Sequence, residues 1–144
     1  MEIRKPDEIV KEFNVIIRNL ISKLEKKSKS DVEIANLDRL KKRISLFRAT
    51  MGDSALVATS APFFIEYSEQ VISRDEKFFN SMDVRAEYIK RKGKIEKNDE
   101  FIFGLIDSIK YQYNKSSQTE KDIIYSEVKS LFDCSVEYKL AVSP

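Results

Sequence analysis

The sequence predicts an all-α protein, a compact bundle of five or six helices with an extended C-terminal tail as an open alternative to helix there. Three observations carry the prediction. Apolar residues recur at steps of three and four through most of the chain, the spacing that lays one stripe along a helix. Capping signals stand where those stripes begin, and only three glycines and three prolines interrupt 144 residues. Hydrophobic residues make up 42% and charged residues 35%, too apolar for a disordered chain and charged enough to salt the outer faces of long helices. A chain of this length buries roughly two-thirds of its unfolded surface and is expected to form a single domain. That domain spans residues 1–144, with core helices over about 7–132 and a tail over 133–144.

Pro6, Asp7 and Glu8 open the first helix, a proline and two carboxylates where the macrodipole favours them. Ile9, Phe13, Ile16, Ile17, Leu20, Ile21 and Leu24 form its apolar stripe, and Lys26 to Lys29 end it. Ser30 and Glu33 read as a capping box for a second helix, which carries Ile34, Leu37, Leu40, Ile44, Phe47 and Met51 on one side and stops at Gly52 and Asp53. Small residues follow until Ser60, Ala61 and Pro62 supply a cap and a first-turn proline, so a third helix is expected to start there. It presents Phe63, Phe64, Tyr67, Val71 and Ile72 and continues through Phe78 and Phe79. Val84 to Lys92 reads as a short fourth helix.

Gly93 and the charged run Lys94, Ile95, Glu96, Lys97 mark the longest surface connection. Asn98 and Asp99 cap the next helix, with Phe101, Ile102, Leu105, Ile106, Ile109 and Tyr113 as its inner face. After a polar loop over 114–117, Thr119 is expected to cap a last helix that turns Ile123, Ile124, Val128, Leu131 and Phe132 inward. Beyond Phe132 the rhythm becomes two: Cys134, Val136, Tyr138, Leu140 and Val142 alternate with smaller or charged residues. That pattern suits either a continuing helix or an extended strand that pairs with a partner. Short connections favour antiparallel neighbours.

The chain has no histidine, one cysteine and no tryptophan. Imidazole, thiolate clusters and glycine-rich phosphate loops are therefore all missing from the usual means of catalysis and metal binding. The expectation is a non-enzymatic protein with no catalytic residue, no metal, no cofactor and no evident small-molecule substrate. Paired carboxylates at Asp75/Glu76, Asp99/Glu100 and Glu120/Asp122 read as caps and surface charge, because adjacent helical residues point about 100° apart. Cys134 reads as a small buried thiol, which points to an intracellular, disulfide-free protein. No apolar leader opens the chain and no stretch approaches the roughly 18 apolar residues of a membrane span. The net charge of +2 is uneven: residues 1–50 carry 13 lysines and arginines against 8 carboxylates, and residues 99–144 carry 5 against 8. Such ends support head-to-tail contact or attraction to an anionic partner.

Two sets of residues are candidates for contact. Arg74, Phe78 and Phe79 sit in a run of alternating charge and paired aromatics, which reads either as an aromatic anchor with a charged rim or as core closure beside solvated charges. Val136, Tyr138 and Leu140 belong to the tail. A second reading places nucleic acid on basic clusters at Lys41, Lys42 and Arg43 and at Lys90, Arg91 and Lys92, provided that the fold gathers them on one face. Lysines 23, 26, 27 and 29 form a further cluster.

The order Tyr67, Ile72, Asp75, Glu76, Phe78, Phe79, then a helix over 102–111, a serine-containing loop and Lys121 with Ile124 and Leu131, resembles small, mostly uncharacterised helical proteins of nucleocytoplasmic large DNA viruses. The similarity covers about residues 63–140 and departs from the family pattern in lacking tryptophan. The resemblance implies a virus-encoded, all-helical, non-enzymatic protein, a minor virion or capsid-associated component, and supplies no catalytic residues. The expected function is that of a structural protein acting through protein–protein contacts or self-association, cytoplasmic or virion-associated, with a nucleic-acid accessory factor as the alternative.

Overall fold

First and last helices, and second and second-last, pair with one another, so the chain is nested rather than wound from neighbour to neighbour. The computed structural model describes residues 4–94 and 100–143, without the side chain at position 92. Eight helices and no strand occur among those residues: α1 Pro6–Lys27, α2 Asp31–Met51, α3 Ala55–Glu66, α4 Ser68–Ser73, α5 Glu76–Ser81, α6 Val84–Lys92, α7 Glu100–Lys115 and α8 Gln118–Val142. The all-α class stands, with more helices than the five or six expected. The cap expected at Asn98 and Asp99 lies outside the described residues.

The apolar stripe of α1 is the spine of the core. Ile9, Phe13, Leu20 and Leu24 are all but inaccessible to solvent. Each such side chain contributes about 1.5–3 kcal/mol by leaving water. The largest contact in the molecule joins α1 to α8, and the next joins α3 to α8. The α1/α8 pair is antiparallel, because Arg4 at the start of α1 donates 2.7 Å bonds to both carboxylate oxygens of Glu137 near the end of α8, while Lys27 at the end of α1 pairs with Glu120 at the start of α8. Lys23 pairs with Glu127 between them. In the same way Lys115 at the end of α7 meets Glu33 at the start of α2 at 3.1 Å, and Phe47 near the end of α2 meets Phe101 at the start of α7, ring centroids 4.6 Å apart. Arg4, Lys23 and Lys27 of the basic front thus meet three carboxylates of the acidic back within the molecule.

Several expectations are corrected. The third helix does not start at Ser60. It starts at Ala55, closed by the Ala55 N–H on the Gly52 carbonyl and the Ala58 N–H on the Ser54 carbonyl, so Pro62 stands inside α3. Burial of Leu56 and Val57 holds that extra turn in place. The same stretch does not run on to Phe79. It breaks at Tyr67 and again at Arg74, which adopts a left-handed conformation at φ 54° and ψ 53°. The Asp75 N–H bonds the Gln70 carbonyl at 2.9 Å and the Arg74 N–H bonds that of Val71 at 3.2 Å, a Schellman closure with arginine where glycine is usual. At the start of α8 the cap is Ser117, not Thr119, since Ser117 and Glu120 form a full capping box. Residues 133–142 continue α8 as helix. Cys134 and Ser135 are both buried, adjacent positions that helix can turn inward together but a strand would split between its two faces. Ile34, Met51, Ile72 and Ile123, expected to face inward, are exposed.

Candidate contact and ligand site

Arg74 organises the surface where α4, α5, α7 and α8 meet. Its left-handed backbone turns the side chain toward α7 and α8. Nε and Nη2 donate to the Tyr113 hydroxyl oxygen at 3.1 and 2.8 Å, and Nη1 donates to Asp122 Oδ1 at 2.7 Å. The guanidinium also lies 4.8 Å from the ring centre of Tyr125. Tyr113 in turn donates to Glu76, and Tyr125 to the Val71 carbonyl. Burial raises the pKa of Tyr113, with the bond to Glu76 acting the same way and Arg74 opposing it. The Arg74 hydrogen bond holds Asp122 below its ordinary range. The carboxylates at 76 and 122 are thus partners in this cluster, while Asp75 caps α5 by accepting from the Phe78 N–H at 3.1 Å.

Helix α5 sits outside the core. None of its residues is fully buried, and it is tied to α7 mainly by polar groups: Glu76 to Tyr113, Asn114 to Asn80 at 3.2 Å, and Lys110 Nζ to the Met82 carbonyl just beyond it at 3.2 Å. Phe78 and Phe79 are half-buried, 5.4 Å apart edge to face, with Phe78 also 5.5 Å from Tyr67. They are neither closed into the core nor fully displayed. Ile72, two residues before Arg74, is 65% exposed.

Beneath α5 lies an apolar cavity of about 240 Å³. Its walls include Phe13 of α1, Phe64 of α3, Leu105 and Ile106 of α7 and Val128 of α8, and Phe79 closes it from α5. The polar groups on its lining are few, among them Arg74, Glu76, Asn80 and Lys110. Of these, Glu76 and Asn80 of α5 are exposed.

The tail candidates lie at the other end of α8. Val136 is half-buried, Tyr138 packs on the core, and Leu140 and Val142 are 59% and 47% exposed. Eighteen residues separate Leu140 from Asp122, about 27 Å at the helical rise. The two candidate contact regions are therefore not one surface but opposite ends of one helix.

The basic clusters are largely occupied. Lys41 pairs with Glu25, Lys42 with Asp38, Lys90 with Glu87, and Arg91 with Glu66 while its guanidinium covers the ring of Phe63. Arg43 is exposed. Lys92 ends α6 and its side chain lies outside the described residues. Among the described residues no group of three or more acidic, cysteine or histidine side chains is placed to hold a metal, and no helix is long and apolar enough to cross a membrane.

Sequence reasoning missed the cavity, Lys110 and the tyrosine cluster. The stripe of α7 was legible, but Leu105, Ile106 and Ile109 are only half-buried, packed against the core and also lining the cavity. Nothing in local spacing signals that difference. Fold and site together define a nested helical bundle with an apolar cavity and two separated apolar ends. No protein-family model, curated protein or solved structure matches the chain.

Proposed function

We propose that this is a non-catalytic protein that works through protein–protein contacts, with copies of its own chain as partners joined end to end. The observation that carries the reading is that its two apolar contact regions adjoin opposite ends of α8. Ile72 and Phe78 belong to α4 and α5, which Arg74 ties to Asp122 near the start of α8, and Leu140 and Val142 stand at the other end of α8, where Leu140 is about 27 Å from Asp122 by helical rise. A molecule with two different patches at opposite ends makes heterologous contacts, which close into rings or extend into filaments. The charged residues Asp75, Glu76 and Lys77 around Phe78 supply the polar rim such a contact needs. The resemblance to proteins of large DNA viruses extends the reading to a component of a viral assembly. Nucleic-acid binding has less support, since four of the six basic candidates already face carboxylates.

The reading is tested by the concentration dependence of mass in solution. A mass rising above 16.8 kDa with concentration, and insensitive to salt, is expected. A fall in mass with salt would shift the contact from apolar to ionic groups.

A further inference from the structure

Lys110 is the cation at the cavity that no carboxylate answers among the described residues. Its Nζ donates to the Met82 carbonyl, leaving further ammonium protons undirected, and among the described residues no carboxylate lies within ion-pair distance of it. Arg74, the other cation at the lining, is already taken up by Tyr113 and Asp122. The walls around Lys110 are aliphatic and aromatic side chains drawn from all eight helices. An apolar space with an uncompensated lysine on its lining is complementary to an aliphatic chain ending in a single negative charge.

We infer that this cavity is a binding site for a monoanionic aliphatic amphiphile, a medium-chain carboxylate, with its tail between Leu105, Ile106 and Val128 and its carboxylate on Lys110. A dry cavity of about 150 Å³ takes the six carbons of benzene, and scaling to this one gives a tail of about eight to ten carbons. Entry runs past α5, whose attachment is mainly polar and whose residues are none of them fully buried, the features of a segment that opens at low cost. Neither the contact reading nor its patches are needed for this site.

The probe is decanoate, kept below its micelle concentration and followed by methyl chemical shifts and calorimetry on the full chain. One site with a Kd of about 100 μM or tighter is expected, with the largest shifts at the Leu105, Ile106, Ile109 and Val128 methyls. Lys110→Gln is expected to weaken decanoate at least fivefold while changing the affinity for uncharged decanol less than twofold. Ile106→Phe and Val128→Phe, which fill the cavity from different helices, are each expected to abolish both. Absence of saturable binding, shifts confined to residues away from these walls, or equal loss of decanoate and decanol in Lys110→Gln would each overturn the assignment, and the first two are read on the unmodified protein.

Discussion

The guanidinium of Arg74 places two of its N–H groups on one oxygen, the hydroxyl of Tyr113, at 3.1 and 2.8 Å. That pairing explains why a left-handed backbone is tolerated at a residue with a side chain. The conformation costs about 1–2 kcal/mol at a non-glycine residue, and bonds from a charged group are each of comparable worth. Lysine could not reproduce the arrangement, since it lacks the planar fork.

Substitutions at this position separate the two contributions. Arg74→Ala is expected to destabilise by about 2 kcal/mol, since it loses the bonds to Tyr113 and Asp122 and keeps the strain. Arg74→Gly is expected to be about 1 kcal/mol more stable than Arg74→Ala, because only glycine adopts this backbone without penalty. Urea unfolding of both variants reads the difference.

Acid should weaken the bundle at two helix starts together. Glu33 is held down to about 2, first by the Lys29 N–H and then by Lys115; Glu120 is held down to about 2, first by Lys27 and then by Ser117. With the folded pKa below the ordinary 4.5, the unfolded chain binds more protons across this window. The stabilisation is therefore present above about pH 4.5 and lost as pH falls toward 2. The urea midpoint should drop through that window, and Glu33→Gln with Glu120→Gln should flatten the drop.

Cys134 should be inert in the folded protein. Burial is the main cause that pushes its thiol up to about 11, and the side chain is 2% exposed. Reaction with an aromatic disulfide reagent at pH 8 should be at least a hundredfold slower than for a free thiol, and should accelerate with urea in step with unfolding.

Pro62 should be a weak point of α3. It lacks the N–H that a helix interior returns to the preceding turn, and its carbonyl is used by Arg91 Nη1 at 3.1 Å, a bond alanine would keep. Pro62→Ala is expected to raise stability by about 1 kcal/mol in thermal unfolding.

Periodicity revealed α1 almost completely, since Ile9, Phe13, Leu20 and Leu24 are an uninterrupted stripe that is buried along its length. It also located α2, α6, α7 and the Ser30/Glu33 box, but not the Ser117/Glu120 box, whose serine read as polar loop while Thr119 read as the cap. It failed where tertiary contacts outweigh local signals. Pro62 looked like a helix start, yet the burial of Leu56 and Val57 extends helix before it. The alternation over 134–142 imitated a strand, yet Cys134, Ser135 and Tyr138 are drawn onto α1 and the core. No local pattern could disclose that the ends of the chain pair, that Arg74 is left-handed, or that α7 faces a cavity. Removing everything after Phe132 would take core residues away, so point changes at Leu140 are the cleaner probe of the tail.

The most direct test of end-to-end contact is light scattering on two single variants, Phe78→Ser and Leu140→Asp, alone and mixed. Each variant has one altered end, so each alone should stay at the 16.8 kDa of the single chain, while an equimolar mixture should pair through the two intact ends and reach the mass of a dimer and no more. A mixture that stays monomeric, or an unmodified protein that is monomeric at every concentration, would contradict the account.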